Sequence, residues 1–484
     1  MTNLQPEQQI TNLLKLAAYL DCMKSADQVY VMFDGKTTVM AFAKDDGILS
    51  GCAFRASGNP YSLNKDQEKS YEIGSPVGAA QLYAMEAAAI TKFDYGKIDG
   101  NGDFQPHYTA SKLNPISAID FLNIFTTLPI DESYHRFVAL FDDDTTVKGT
   151  KYADIIETGA GNDKVNARGG NDIVHKWDSG DLKYSGGDGF DAISFGTSFG
   201  SYFVNPKVQQ LVIDLKTGTG DNPYGGKLKV DSVEKVIGTD EADRIFGDNK
   251  RNWIETQDYG ADIVKARGGN DTVVLWPFAF GAVLDGGKGK DTLKTAFEYL
   301  DNTLDLTDPS NNTGKFENGS IRNFEVFKFS STSFDPTTIL RFKAGDGSET
   351  VTVDGRRSAI LDLGDGNNKV RGGLGNDTIV TGKGKDRIEG GGGDDFMTGG
   401  GGTDRFVFKN FHGHDVIRDF AVAGTKHDIV DLSGVAGIDS WNDLRKNHLT
   451  SVDGNAAIET SDDDLIILTG VAMNKLKADH FDFG

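Results

Sequence analysis

The chain has 484 residues, enough for two or three domains, and its 72 acidic against 50 basic residues give a formal charge of -22. That balance excludes nucleic acid as a partner, because phosphate backbones demand basic patches, and it suits a chain that holds cations. No stretch approaches the roughly eighteen apolar residues of a transmembrane helix, and the first residues lack the basic-then-apolar order of a cleaved signal peptide.

Residues 1–140 read as a small α+β domain of unknown role. Ile10, Leu13, Leu14, Ala17 and Leu20 keep helical spacing, which predicts a helix over 6–25. The apolar runs on either side of Asp34-Gly35 predict a hairpin. Ser75-Pro76 opens a second predicted helix, to about Lys92, and Asn114-Pro115 a third, to about Thr127. No zinc-protease HExxH is present, and His107 and His135 stand alone. Asp99–Asp103 resembles the start of an EF-hand loop, but Phe104 takes the glycine position and Ala110 the bidentate acid position, so a polar turn is expected. Cys22 and Cys52 belong to no Cys/His cluster, which argues against zinc.

From about residue 141 a nonapeptide takes over, in three blocks near 149–195, 238–295 and 345–408, joined by β connectors. In the first block Asp154, Asp163 and Asp172 fall nine residues apart, each followed two residues on by Ile156, Val165 or Val174. An irregular turn around Asp181 precedes Asp191 and Ile193. The second block carries Asp243, Asp262, Asp271 and Asp291, with Asn252 in one aspartate position. The third opens on Glu349 and Asn368, then becomes regular at Asp377, Asp386, Asp395 and Asp404, with Ile379, Ile388, Met397 and Phe406 two residues after them. The connectors 212–238 and 303–329 resemble each other and read as hairpins or rungs that continue or cap the repeats. A GxSxG at Gly196–Gly200 follows a repeat strand and precedes no helix pattern, so it makes no nucleophile elbow.

The chemistry of such a repeat follows from its residue types. The apolar residue points inward from a short strand, and glycines allow the sharp turn that follows. Carbonyls then point outward, and the aspartate adds a carboxylate. Stacked turns converge these oxygens into a cage that suits a hard cation taking six to eight oxygens, calcium rather than magnesium. Without the cation the carboxylates repel one another, so binding should be coupled to folding.

Residues 411–484 alternate short apolar strands with acidic turns and end on Phe481 and Phe483. His412, His414 and His427 lack the regular spacing of transition-metal ligands.

At residues 141–484 the chain resembles the RTX (repeats-in-toxin) calcium-binding proteins. GGLGNDTIV, GGDGFDAIS and GGKGKDTL fit the family nonapeptide, and the segment from Phe406 to Val435 is similar to the region after the rolls in serralysin-type members. The resemblance implies a mainly β fold, a parallel β-roll or β-solenoid behind the small N-terminal domain. It implies several Ca2+ ions, held by the aspartates above and by the carbonyls of Gly159, Gly161, Gly170, Gly187, Gly189, Gly269, Gly287 and Gly289. In the third block the carbonyls are those of Gly372, Gly375, Gly382, Gly384, Gly391, Gly393, Gly400 and Gly402. It implies export by the type I secretion machinery, with residues 411–484 as a β cap and secretion region. The metzincin zinc helix, a lipase elbow and pore-forming helices are lacking. The reading reached is a secreted, non-catalytic calcium-binding protein that engages cell-surface polysaccharide or another surface protein. A hydrolase with chemistry in residues 1–140 or the connectors, and a surface-layer component, are the alternatives.

Overall fold

In the computed structural model the first 143 residues are described only as the backbone of six strands, within 28–117. From 144 onward the description is complete except at 150, 177, 196–207, 258–259, 277–279, 298–301, 314–315, 332–337, 425–426 and 462. The expected helix at 6–25, Cys22, the acidic turn 99–103 and the GxSxG at 196–200 lie outside the described residues. The chain forms two compact units, Met1–Thr239 and Asp240–Gly484.

In the first unit the expected hairpin is present. Gln28–Phe33 pairs antiparallel with Thr37–Lys44, Phe33 lying opposite Thr38. Gly47–Ser57, Ala89–Ile98 and Phe104–Ser117 extend that antiparallel sheet. Two helix expectations fail where they meet it. Residues 89–92 belong to the strand Ala89–Ile98, and 114–117 close the strand Phe104–Ser117, where Ser117 faces Ala89 and Ile116 faces Ile90. Partners across a sheet override a local helix-start signal there. Thr146–Lys148 is the hinge of the topology. It pairs antiparallel with Phe104–Ser117 on one side and parallel with Asp163–Asn166 on the other.

From that strand on, each coil has two short strands and two turns. Ile155–Thr158, Ile173–Lys176, Ala192–Ser194 and Lys235–Ile237 stack in parallel as one face. Thr146–Lys148, Asp163–Asn166, Leu182–Ser185 and Lys227–Asp231 form the other. The connector at 212–238 is thus a rung of the roll, with a hairpin, Val212–Asp214 against Thr219–Asp221, inserted before it.

The second unit repeats this plan at greater length. One sheet sets Ile254, Val273, Leu293, Phe327, Val351, Val370, Ile388, Phe406, Val430 and Phe481 in parallel register. Facing strands align Ile245, Val264, Leu284 and Ile321, and then Leu304, Phe342, Leu361, Ile379 and Met397. The apolar residue two after each aspartate is buried at every repeat, from Ile156 and Val174 to Met397 and Phe406. Strands this short bury few side chains each, so the column of inward residues forms the spine of the core. Replacing Ile388 with alanine is expected to cost about 2–5 kcal/mol in the calcium-loaded protein, read as a lower urea midpoint.

The expected C-terminal strands are present. His414–Ile417 and Leu465–Leu468 pair in parallel, Leu449–Val452 and Asn455–Glu459 form a hairpin beside them, and Phe481–Asp482 pairs with Val430–Asp431. Arg405 binds both Asp431 (3.1 Å) and Asp482 (2.5 Å), and Trp441 stacks on Phe481. No described helix is long and apolar enough to cross a membrane.

Candidate metal sites

Every aspartate picked out by the nine-residue step is at most 2% exposed. An aspartate rarely goes so deep without a partner. Here one oxygen of the carboxylate has a backbone partner. Asp172 Oδ1 accepts from the Asp154 N–H at 2.7 Å, and Asp191 Oδ1 from the Asp172 N–H at 2.8 Å. In the second unit Asp262 accepts from Asp243, Asp271 from Asn252, and Asp291 from Asp271. Asp377 accepts from Ala359, Asp386 from Asn368, Asp395 from Asp377, and Asp404 from Asp386. Each bond spans one coil, so the carboxylates form buried ladders along the turns.

The second oxygen is the telling one. Among the described residues, nine buried carboxylate oxygens have no hydrogen-bond partner: one each on Asp172, Asp191, Asp262, Asp271, Asp291, Glu349, Asp386, Asp395 and Asp404. A buried acceptor left unpaired is costly, and a ladder of them is a donor set awaiting a cation. The turn glycines make the room. A β-carbon on Gly390 would lie 2.2 Å from Asp395 Oδ2, and one on Gly186 would lie 2.4 Å from Asp191 Oδ2. A β-carbon on Gly384 would meet the Gly366 carbonyl at 1.7 Å, so carbonyls of one turn aim at the next. Of the glycines named from sequence, Gly161, Gly170, Gly187, Gly189, Gly269, Gly287, Gly289, Gly391, Gly393, Gly400 and Gly402 have left-handed φ. Gly159, Gly372, Gly375, Gly382 and Gly384 do not. Paired carboxylate and carbonyl oxygens in a water-poor turn fit calcium by donor type. Gly390→Ala is expected to raise the calcium midpoint of its site about tenfold, the usual scale for disturbing a ligand's support, read by calcium titration of the variant.

Burial pushes these carboxyls up from their ordinary value of 3.8, and neighbouring carboxylates push some of them further. Asp172, Asp271, Asp377 and Asp404 rise to about 7, and Asp191 and Asp291 to about 6. Asp262 reaches about 8, and Asp395, with Asp415 and Asp377 beside it, about 9. Backbone N–H donors oppose the rise but do not cancel it. A divalent ion would do so, since it favours the charged form.

Several members of the ladders escaped the sequence reading. Glu234 and Glu325, in the two connectors, accept from the N–H groups of Asp191 (2.9 Å) and Asp291 (2.8 Å). Insertions separate them from the repeats, but a glutamate about twenty residues after the DL pair in both connectors was the available signal. Asp415 and Asp428 continue the ladders past the last regular repeat, accepting from Asp395 and Asp404. Their other oxygens are occupied. Asp415 Oδ2 binds buried His412 (2.7 Å), which also reaches Thr460, and Asp428 Oδ2 takes the Ala421 N–H. An asparagine precedes four of the aspartates and makes a second, exposed ladder. Asn162, Asn171, Asn270 and Asn376 accept from the N–H groups of Asp181, Phe190, Lys290 and Asp394 in the following coil.

The three histidines named from sequence do not meet. His412 is held by Asp415 and Thr460, His414 is exposed, and His427 lies near Asp479 and His480, with one donor of each within 4.8 Å. His427 Nε2 sits 3.0 Å from the Asp479 carbonyl.

Parallel coils with glycine turns, one inward apolar residue per strand and laddered aspartates define a β-roll. The RTX calcium-binding nonapeptide repeat matches this chain in four copies, at residues 141–174, 237–273, 360–379 and 371–406. The chain therefore carries RTX repeats. Such repeats bind Ca2+, and four copies imply several ions. The extracellular lipase LipA from Serratia marcescens is similar at 18% identity over 54% of this chain, with a TM-score of 0.22. This chain spans 45% of that lipase's length. No curated protein sequence matches it.

Proposed function

We propose that this is a secreted protein whose roll closes on calcium outside the cell, exported by a type I machinery and serving as a stiff, non-catalytic scaffold. The domains follow the sequence: an N-terminal head to about residue 140, the roll to about 410, and a C-terminal cap. The observation that carries the reading is the set of nine buried carboxylate oxygens without partners, eight of them on aspartates whose other oxygen is already spent on the ladder. Acidic proteins with weak extracellular calcium sites respond to the step from a calcium-poor cytosol to a calcium-rich medium, at about 10⁻⁴–10⁻³ M. The ligands proposed are those carboxylates with the turn carbonyls of the glycines between them. The head is the part left to engage cell-surface polysaccharide or another surface protein. Circular dichroism of the whole chain during calcium titration tests the coupling. The strand signal should rise over that range, and a strand spectrum already complete in chelator overturns it. Calcium-dependent retention of the protein on cells, abolished by removing residues 1–140, tests the role of the head.

A further inference from the structure

One turn pair in the first unit already contains a cation. The Lys176 side chain is fully buried, and its Nζ sits 2.9 Å from Asp163 Oδ2, which is buried as well. The same ammonium donates to the Gly159 carbonyl, and lies 3.4 Å from the Gly161 and 3.3 Å from the Ser179 carbonyl oxygen. These oxygens come from two successive turns, the arrangement expected of a bound ion between coils. Asp163 spends its other oxygen on Thr145, whose N–H and hydroxyl both donate to it. The next aspartate of the column, Asp181, is exposed and accepts from the Lys227 N–H. The pocket thus offers one carboxylate and three carbonyls, already satisfied by an ammonium, where a calcium ion would want six to eight oxygens.

We propose that Lys176 is a built-in cation that replaces calcium between turns 159–163 and 178–181. Gly159, Gly161 and Asp163 then bind the ammonium instead of an ion, and this coil closes where calcium is scarce. Charge balance favours it: the single buried carboxylate is matched by a single positive charge, and an ammonium has three donors to share among four oxygens. Asp172 and Asp191, in the opposite column of the same unit, keep their unpartnered oxygens and have no such cation. The roll would therefore start from a preformed coil and add calcium-dependent ones to it. The inference rests on the calcium reading only for those other coils.

Hydrogen exchange on the whole chain tests it without any variant. In chelator, peptides from 155–176 should be protected while those from 378–404 are not, and calcium should protect both. Unprotected 155–176 peptides in chelator overturn the built-in cation. Protection of both segments in chelator overturns the calcium coupling instead. Lys176→Met supplies the second arm. It should lower protection of 155–176 in chelator by about a hundredfold, the scale of breaking a buried pair. Calcium should restore the segment, with one more ion bound per chain than in the parent. A variant with unchanged exchange in chelator and an unchanged ion count overturns the proposal. So does one that calcium cannot restore, since the cage then does not suit an ion.

Discussion

In chelator, moving the protein from pH 8 to pH 5 is expected to raise the strand signal of the roll, and returning it to pH 8 to remove that signal. The sign follows from the direction of the shifts. Asp172, Asp191, Asp262, Asp271, Asp291, Asp395 and Asp404 are held above 3.8 in the folded chain, at about 6 to 9. The folded state therefore binds more protons than the unfolded one across that window. Its stability is full below the unfolded value and falls as pH rises through the folded values. Asp431, Asp464 and Asp482 are held below 3.8 by their donors, so acid eventually costs what they contribute. The apo roll should be most ordered between these limits, near pH 4–6. Calcium and protons compete for the same oxygens. The calcium midpoint should therefore rise about tenfold per pH unit below 6 for each proton displaced. A chelator spectrum that does not change between pH 5 and 8 would show that the ladder carboxylates are not what holds the coils apart.

Asp395 should show the two jobs of a ladder carboxylate separately. Its Oδ1 accepts from the Asp377 N–H at 2.7 Å, and its Oδ2 has no partner. Asp395→Asn keeps an acceptor for the N–H and loses the charge, so at least one ion should be lost while the coil still closes at higher calcium. Asp395→Ala loses both, and a buried Asp377 N–H without a partner costs about 1–3 kcal/mol more. Equilibrium dialysis should find fewer ions on both variants, and urea midpoints in calcium should fall further for alanine. If both variants bind as many ions as the parent, Asp395 is not a ligand.

The repeat was legible because its physics is local. An aspartate, then an inward residue two positions on, every nine residues, fixes register, core and ladder together. Met397 and Phe406 could be placed in the core, and Asp395 and Asp404 in the ladder, without any long-range information. What failed were features that need a partner distant in sequence. Glu234 lies forty-three residues from the Asp191 N–H it accepts from, past an inserted hairpin, and no period links them. Lys176 closes a repeat strand at an ordinary surface-looking position in the sequence, and only the fold turns its ammonium into the cage of the turn before. At 114–117 the Asn-Pro signal was real but local, and the partner strand at 89–90 decided the outcome.

The ladders also give the coil a direction. Buried carboxylates of the second unit reach back to the N–H of the preceding coil, whereas the exposed asparagine ladder reaches forward, where water competes for every bond. The two last members, Asp415 and Asp428, are held by His412 and the Ala421 N–H. Both can be set before any ion arrives. This unit is thus a zipper with its slider at the late end, each closed tooth presenting the acceptor for the tooth before it. A chain delivered late end first could close as it arrives. Pulse labelling during calcium-triggered folding should find amides near 395–404 protected before those near 359–371, and the reverse order would contradict it.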